Sequence, residues 1–334
     1  MKLHNFASLV ICCFALSGCS SISEKFYNFF DDEEAKSDVR LFALNSIKAG
    51  AEAESSETGT VSEGVKKLWT ERAREGVEQY SQTLLPGTEV SLSGGENTSS
   101  DLSILTIQEL GKNDEINNTY FFQGGLSNHD SGDRTTANLG LGYRYLTDDE
   151  RWLYGINVFF DHELPYDHQR GSVGLELKSS AFDLSMNRYK ALTDWKNSGA
   201  SKQERALDGS EIELGIQIPY VPSAKGNISS FKWDGIGSSN NIEGNSYSLY
   251  LNQPSGGGWS IEAGIHNFDD RPDESFGRIT YHIGRGRDVS SNEVRPFFSK
   301  SIFESDSISN RRLEKVRRSN KIVKQTGGFT VSFR

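Results

Sequence analysis

The chain has 334 residues, 33 of them Gly, with 35% hydrophobic and 11% aromatic side chains and a mean hydropathy of -0.55. This is one large domain with appendages, too polar for a bundle of membrane helices; a strand that meets lipid on one face, however, needs apolar residues only at alternate positions. A formal charge of -10 argues against nucleic acid as a partner, and no GxGxxG, phosphate loop or metal-spaced Cys/His cluster is present, so no cofactor and no metal is expected.

In chain order, Lys2 precedes an apolar stretch from Phe6 to Leu16 and then small residues. Residues 1–18 therefore read as a secretory leader, too short to span a membrane as a helix. Leu16-Ser17-Gly18-Cys19 resembles the lipobox of bacterial lipoproteins, which implies Cys19 as the lipid attachment site; an ordinary leader that contains a cysteine is the alternative. Cys12, Cys13 and Cys19 are the three cysteines, so the mature chain is expected to carry no disulfide. Residues 19–60, with the acidic cluster Asp31, Asp32, Glu33 and Glu34, read as a tether. In 61–87, Val65, Leu68, Trp69, Ala73, Val77 and Tyr80 recur at three-to-four-residue spacing, predicting a periplasmic helix capped by Ser62 and ended by Pro86-Gly87.

From 88 to 284 the period changes to two. The central stretch, Thr135 to Asp161, is predicted to be an antiparallel hairpin about the polar turn Thr147-Asp148-Asp149-Glu150. Ala137, Leu139, Leu141, Tyr143 and Tyr145 share one face, with Asn138, Gly140, Gly142 and Arg144 on the other. Beyond the turn, Trp152, Tyr154, Ile156, Val158 and Phe160 oppose Leu153, Gly155, Asn157, Phe159 and Asp161. A non-apolar face of Gly, Asn, Glu and Arg suits the wet lumen of an outer-membrane barrel better than the outside of a soluble sandwich, which is the alternative fold. Runs near 88–94, 101–109, 118–127, 135–145, 151–161, 169–178, 181–189, 209–219, 225–234, 246–253, 258–267 and 275–283 make twelve strands; those at 101–109 and 225–234 alternate poorly. Connections at 146–150, 179–180, 220–224 and 254–257 are short and those at 162–168, 190–208, 235–245 and 268–274 longer, the two-sided pattern of a barrel with periplasmic turns and outer loops. The fold expected is thus a 12-stranded antiparallel β-barrel. Parity assigns Arg144, Asn157, Glu176, Glu211, Glu213 and Glu262 to the lumen, and Tyr143, Tyr145, Trp152, Tyr154, Phe160 and Trp259 to a lipid-facing girdle.

Residues 285–334 read as linker and tail. Between Arg311 and Lys324 lie seven cations, Arg311, Arg312, Lys315, Arg317, Arg318, Lys321 and Lys324, against the single acid Glu314. A basic segment entering an acidic pore is held electrostatically and closes it; a solvated periplasmic tail is the alternative. The final GGFTVSFR alternates like an edge strand or an assembly signal. Three acid/His pairs, His129-Asp130, Asp161-His162 and Asp167-His168, fall at predicted outer loops where a rim hydrolase would place a dyad, but loop His and Asp also serve as turn formers, and no catalytic residue is assigned.

ANLGLGYRYLTDDERWLYGINVFFDHEL (Ala137 to Leu164), the following RGSVGLELKSS, YKALTDWKNS (Tyr189 to Ser198), IELGIQIPYVP (Ile212 to Pro222) and RRLEKVRRSNKIV (Arg311 to Val323) resemble the β-domain of the intimin/invasin family, the inverse autotransporters, over about residues 61–325. The resemblance implies a translocator and anchor barrel through whose pore the C-terminal chain passes toward exported adhesive domains. The sequence ends at Arg334 without such domains, so a stand-alone form is expected, exposing a short tail or assisting a separately encoded passenger. A structural or surface-interaction barrel that acts through its outer loops, on a host or cell-surface ligand, is the alternative. Expected surroundings are outer-membrane lipid and the barrel-assembly machinery of a Gram-negative bacterium, with both terminal segments entering from the periplasmic side.

Overall fold

The computed structural model describes residues 87–95, 98–111, 116–129, 134–198, 202–237, 239–252, 258–283, 298–303 and 306–328. The leader, Cys19, the tether and the helix expected from Val61 to Tyr80 lie outside them, as do the last six residues. Among the described residues no helix is long and apolar enough to cross a membrane.

The strands are β1 (Thr88–Gly95), β2 (Thr98–Glu109), β3 (Asn118–His129), β4 (Arg134–Leu146), β5 (Leu153–Leu164), β6 (His168–Lys178), β7 (Phe182–Ala191), β8 (Lys196–Asn197), β9 (Lys202–Ala206), β10 (Gly209–Ile218), β11 (Val221–Trp233), β12 (Ile242–Asn252), β13 (Trp259–Phe268), β14 (Glu274–Ile283) and β15 (Lys324–Gly328). Twelve of them close a barrel in the order β1-β14-β13-β12-β11-β10-β7-β6-β5-β4-β3-β2, while β15, β9 and β8 form a separate three-stranded sheet. Pairing of β1 with β14, Thr88 opposite Ile283 through Gly95 opposite Phe276, removes both sheet edges. β7 pairs with β10 because residues 192–208 leave the wall. The connections fall into two sets. The turn end carries β2–β3, β4–β5, β6–β7, β10–β11 and β12–β13 together with the start of β1 and the end of β14; the loop end carries the others.

Burial is inverted relative to a water-soluble sheet. Between β4 and β5, Leu141 lies opposite Val158 and Tyr145 opposite Tyr154, and Leu141, Val158 and Ile156 are 53%, 52% and 48% exposed. The side chains on the opposite parity, Asn138, Arg144, Asn157 and Asp161, are buried. A soluble sandwich would hide the first set and wet the second; only a wall that meets lipid accounts for both. Two lumen glycines make this interior possible. A Cβ on Gly140 would lie 2.2 Å from the Phe159 ring and one on Gly142 2.2 Å from the Phe121 ring, so the missing side chains are the space these inward aromatics occupy. In the β4–β5 turn Glu150 takes the left-handed conformation, with φ of 55°. Asp149 there accepts from the Thr147 hydroxyl at 2.6 Å and the Arg151 amide, which holds its carboxyl below the usual range.

Several expectations need correction. The two weakly alternating runs are strands as expected, but each begins earlier, at Thr98 and at Val221, held by backbone pairing to their neighbours where the side-chain pattern is poor. The strict alternation of short and long connections fails, because β5 and β6 extend until Glu163 pairs with His168 and leave only 165–167 between them. Residues 192–208 are not a plain loop, since they carry β8 and β9. The last strand among the described residues is Lys324–Gly328; of the final GGFTVSFR, Phe329 to Arg334 lie outside the described residues.

Candidate functional site

Residues 306–328 run through the barrel from the turn end to the loop end. At the turn end the Ile308 amide donates to the Glu150 carbonyl at 2.9 Å, and Ile308 packs against Leu146 and Leu153. Arg311 lies 2.8 Å from Asp183 on β7 and from Glu314 three residues on. Arg312 donates to the Thr119 hydroxyl at 3.1 Å, and Lys315 pairs with Glu89 on β1 at 3.0 Å. Midway, the Val316 amide donates to Gln123 at 2.8 Å while its side chain packs with Ile107, Phe121 and Phe159. Arg317 bridges Glu213 on β10 and Glu262 on β13. Arg318 pairs with Asp161 at 2.7 Å and lies 4.3 Å over the Phe159 ring. Toward the loop end Lys321 pairs with Asp101 on β2, and Lys324 with Glu163 at 2.5 Å. β15 then adds to β9, from Lys324 opposite Ala206 to Gly328 opposite Lys202. Contacts to β1, β2, β3, β5, β7, β10 and β13 come from a single segment of chain, which a location outside the barrel could not provide.

The wall also grips the segment's backbone. Arg144 is fully buried and clasps Glu176 on β6 at 2.9–3.1 Å; its Nη1 donates to the carbonyls of Arg312 at 2.7 Å and Glu314 at 2.6 Å. Arg170, held by Asp161, donates to the Ser319 carbonyl at 2.8 Å, and Asn187 and Asn138 donate to the carbonyls of Arg317 and Asn320. Apart from the 3-10 turn Ser309–Arg311, the segment is irregular until β15 begins at Lys324, so its backbone has no ladder partner there and these side chains take the place of a neighbouring strand.

The expected lumen residues thus have distinct roles. Glu213 and Glu262 meet the segment directly, Glu176 meets it through Arg144, and Glu211 accepts from the Tyr189 hydroxyl at 3.0 Å instead. Asn157 is buried inside beside Gly174. The acids that sequence reasoning missed are Glu89, Asp101, Asp161, Glu163 and Asp183; the alternation of β5 that placed Asn157 inside also places Asp161 and Glu163 there. Of the expected girdle, Tyr143, Tyr145, Trp152, Tyr154 and Trp259 lie toward the turn end, Trp259 packing at a tilt against Tyr281 with ring centroids 4.6 Å apart, whereas Phe160 lies toward the loop end beside His162.

Two of the three acid/His pairs are rearranged; Asp130 of the third lies outside the described residues. Asp161 is committed to Arg170 and Arg318, leaving His162 3.2 Å from the rim residue Asp167. His168 is buried, and together with Glu163 and Glu204 forms a group whose ligand atoms lie within 4.8 Å of one another. No spacing rule shows that group, because Glu204 reaches it on β9, from the excursion of 192–208.

A closed antiparallel barrel with an apolar exterior and an ion-paired, chain-filled lumen defines an outer-membrane β-barrel. Residues 40–320 match the inverse autotransporter β-domain, and the chain belongs to that family, one of adhesin and translocator barrels of the Gram-negative outer membrane. It is similar to the inverse autotransporter adhesin YeeJ of Escherichia coli K12, 33% identical over 114 residues, 33% of this chain and 5% of that protein. It is also similar to invasin of Yersinia enterocolitica, 30% identical over 41% of this chain and 16% of that protein, and to intimin of Citrobacter freundii, 27% identical over 57% and 20%. The chain therefore aligns with a fifth or less of each of these relatives. A solved chain described under "Unveiling the Mechanism Behind the in-meso Crystallization of Membrane Proteins" has the same fold, with a TM-score of 0.57 at 21% identity over 72% of this chain and 98% of that one.

Proposed function

We propose that this protein is a translocator and anchor unit of the intimin/invasin type in which residues 306–328 occupy the export path, with the turn end at the periplasm and the loop end outside the cell. The observation that carries this reading is the direction of the segment: it enters beside the β4–β5 turn and leaves beside β9 and the 234–241 connection, where Gln325 accepts from the Ile236 amide at 2.8 Å. A chain fastened only at the turn end would be a periplasmic tail. The anchor is the lipid-facing wall with its girdle, inserted by the barrel-assembly machinery and, at the N-terminus, an acyl group on Cys19. A separately encoded passenger or a cell-surface ligand is the partner this geometry would serve. An epitope placed after Arg334 tests the reading: antibody labels it on intact cells, and labelling only after permeabilisation overturns it.

A second reading, a surface-interaction barrel, draws on the sheet β15–β9–β8, which presents an ordered surface at the loop end. Exchanging residues 192–201 for a Gly/Ser linker abolishes adherence of producing cells on that reading while the epitope remains exposed. No hydrolase chemistry is proposed for His162 and Asp167.

A further inference from the structure

At the loop end of the lumen, Glu163 on β5, His168 on β6 and Glu204 on β9 converge, one ligand atom of each within 4.8 Å of the others. His168 is 0% exposed and neither of its ring nitrogens has a hydrogen-bond partner; the nearest acid oxygen, Glu204 Oε2, is 3.7 Å away. Buried polar groups are nearly always satisfied, so an imidazole aimed at carboxylate oxygens without a bond to either side points to a ligand between them. The carboxylates are already oriented. Arg134 donates Nη1 to Glu163 Oε1 at 2.8 Å and Nη2 to Glu204 Oε1 at 3.0 Å, with Glu204 Oε2 at 2.9 Å. Glu163 Oε2 lies 2.5 Å from Lys324 Nζ and 3.6 Å from His129 Nε2. One of the cations that neutralise this carboxylate therefore belongs to the threaded segment.

We propose that Glu163, His168 and Glu204 form a binding site for a divalent transition-metal cation of the zinc type, and that the metal and the Lys324 ammonium are mutually exclusive on Glu163. One imidazole nitrogen and two monodentate carboxylate oxygens are the donor set of zinc and its neighbours; calcium takes six to eight oxygens, which this site does not offer. When Lys324 is docked, its charge repels the metal and takes one ligand. When Lys324 is withdrawn, two buried carboxylates keep Arg134 as their one arginine or lysine partner among the described residues, with His129 3.6 Å from Glu163, and the site gains affinity. Linkage requires the converse: metal uptake weakens the Lys324 contact by the same factor and loosens the segment where β15 begins. The site would then report whether the pore's loop end is closed by the segment.

The test uses the full-length protein in detergent and Zn2+ alone, titrated calorimetrically. Lys324→Met is expected to bind one Zn2+ roughly tenfold or more tightly than the wild type, the size of an ordinary coupling between sites. Adding His168→Gln to that variant is expected to remove the gain, and Ca2+ is not expected to reproduce it. Zinc affinity unchanged by Lys324→Met overturns the exclusion, and tight binding that survives His168→Gln overturns the site. Heat-modifiable gel migration verifies that each variant is folded; Lys324→Gln, which keeps a polar end on β15, replaces the methionine variant if that one fails to fold.

Discussion

Along β5, Tyr154, Ile156 and Val158 point outward and are half exposed, whereas Asn157, Phe159 and Asp161, on the opposite parity, are buried. Outside, lipid accepts any apolar side chain of any shape, so nothing specific has to be matched. Inside, Asp161 meets Arg318 at a sequence distance of 157 residues and Phe159 packs with Val316. The two faces of one strand therefore carry different kinds of information. The wall specifies that a barrel forms and the lumen specifies which chain fills it.

The largest effect separates them outright. Deleting residues 305–334 removes the lumen's partner but leaves every wall contact, so the barrel still inserts, and single-channel recording shows a steady current where the full chain shows none. A deletion protein that inserts without conducting would mean that the segment is not what closes the pore.

Next comes a cut inside the lumen alone. Arg144→Met leaves the buried Glu176 carboxylate with Lys178, 3.3 Å away, as its remaining cation and frees two carbonyls of the segment; removing one member of a buried pair costs about 3–5 kcal/mol, and Lys178 holds the loss toward the lower figure. The midpoint of heat-modifiable migration falls accordingly, and Glu176→Gln added to Arg144→Met restores part of the loss, since the buried carboxylate that kept only Lys178 is then gone, while Lys178 retains Glu314 at 3.4 Å. On the wall, Val158→Arg costs about 2–4 kcal/mol if the position lies near the bilayer midplane, while Val158→Leu is nearly silent in the same assay. Gly142→Val falls below both: its new methyls meet the Phe121 ring, an overpacking worth about 1–3 kcal/mol, and its signature is loss of the Arg144–Phe121 contact, seen at 4.4 Å, rather than loss of insertion.

The same division explains what the sequence makes legible. Parity reveals the hairpin from Thr135 to Asp161, the twelve strands and the inward set Arg144, Asn157, Glu176, because each needs only its own neighbours in the chain. The basic run from Arg311 to Lys324 is legible as a match for an acidic lumen, but not its pairing. Which acid meets which cation depends on closure, and closure brings Asp101, Glu213 and Glu262 to three sides of one segment. Glu211, on the same face of β10 as Glu213, goes to Tyr189 instead. Inward apolar residues such as Phe121, Phe159 and Leu153 break the rule of a wet interior, and they make sense only once Leu313, Val316 and Ile308 are placed against them.

The smallest expected effect sharpens the comparison by moving it to the rim. Arg188 and Asp234 form an ion pair at 3.4 Å with side chains 58% and 40% exposed, and an exposed pair of this kind is worth about 0–1 kcal/mol. Arg188→Gln should therefore shift the unfolding midpoint little at low salt and not at all in 1 M salt, where the screening length falls to about 3 Å. The Arg144–Glu176 pair, closed off from solvent, should keep nearly its full contribution across the same range. If both pairs lose their contributions in parallel as salt is added, water and ions reach the lumen freely, and the distinction between a threaded interior and an open channel fails.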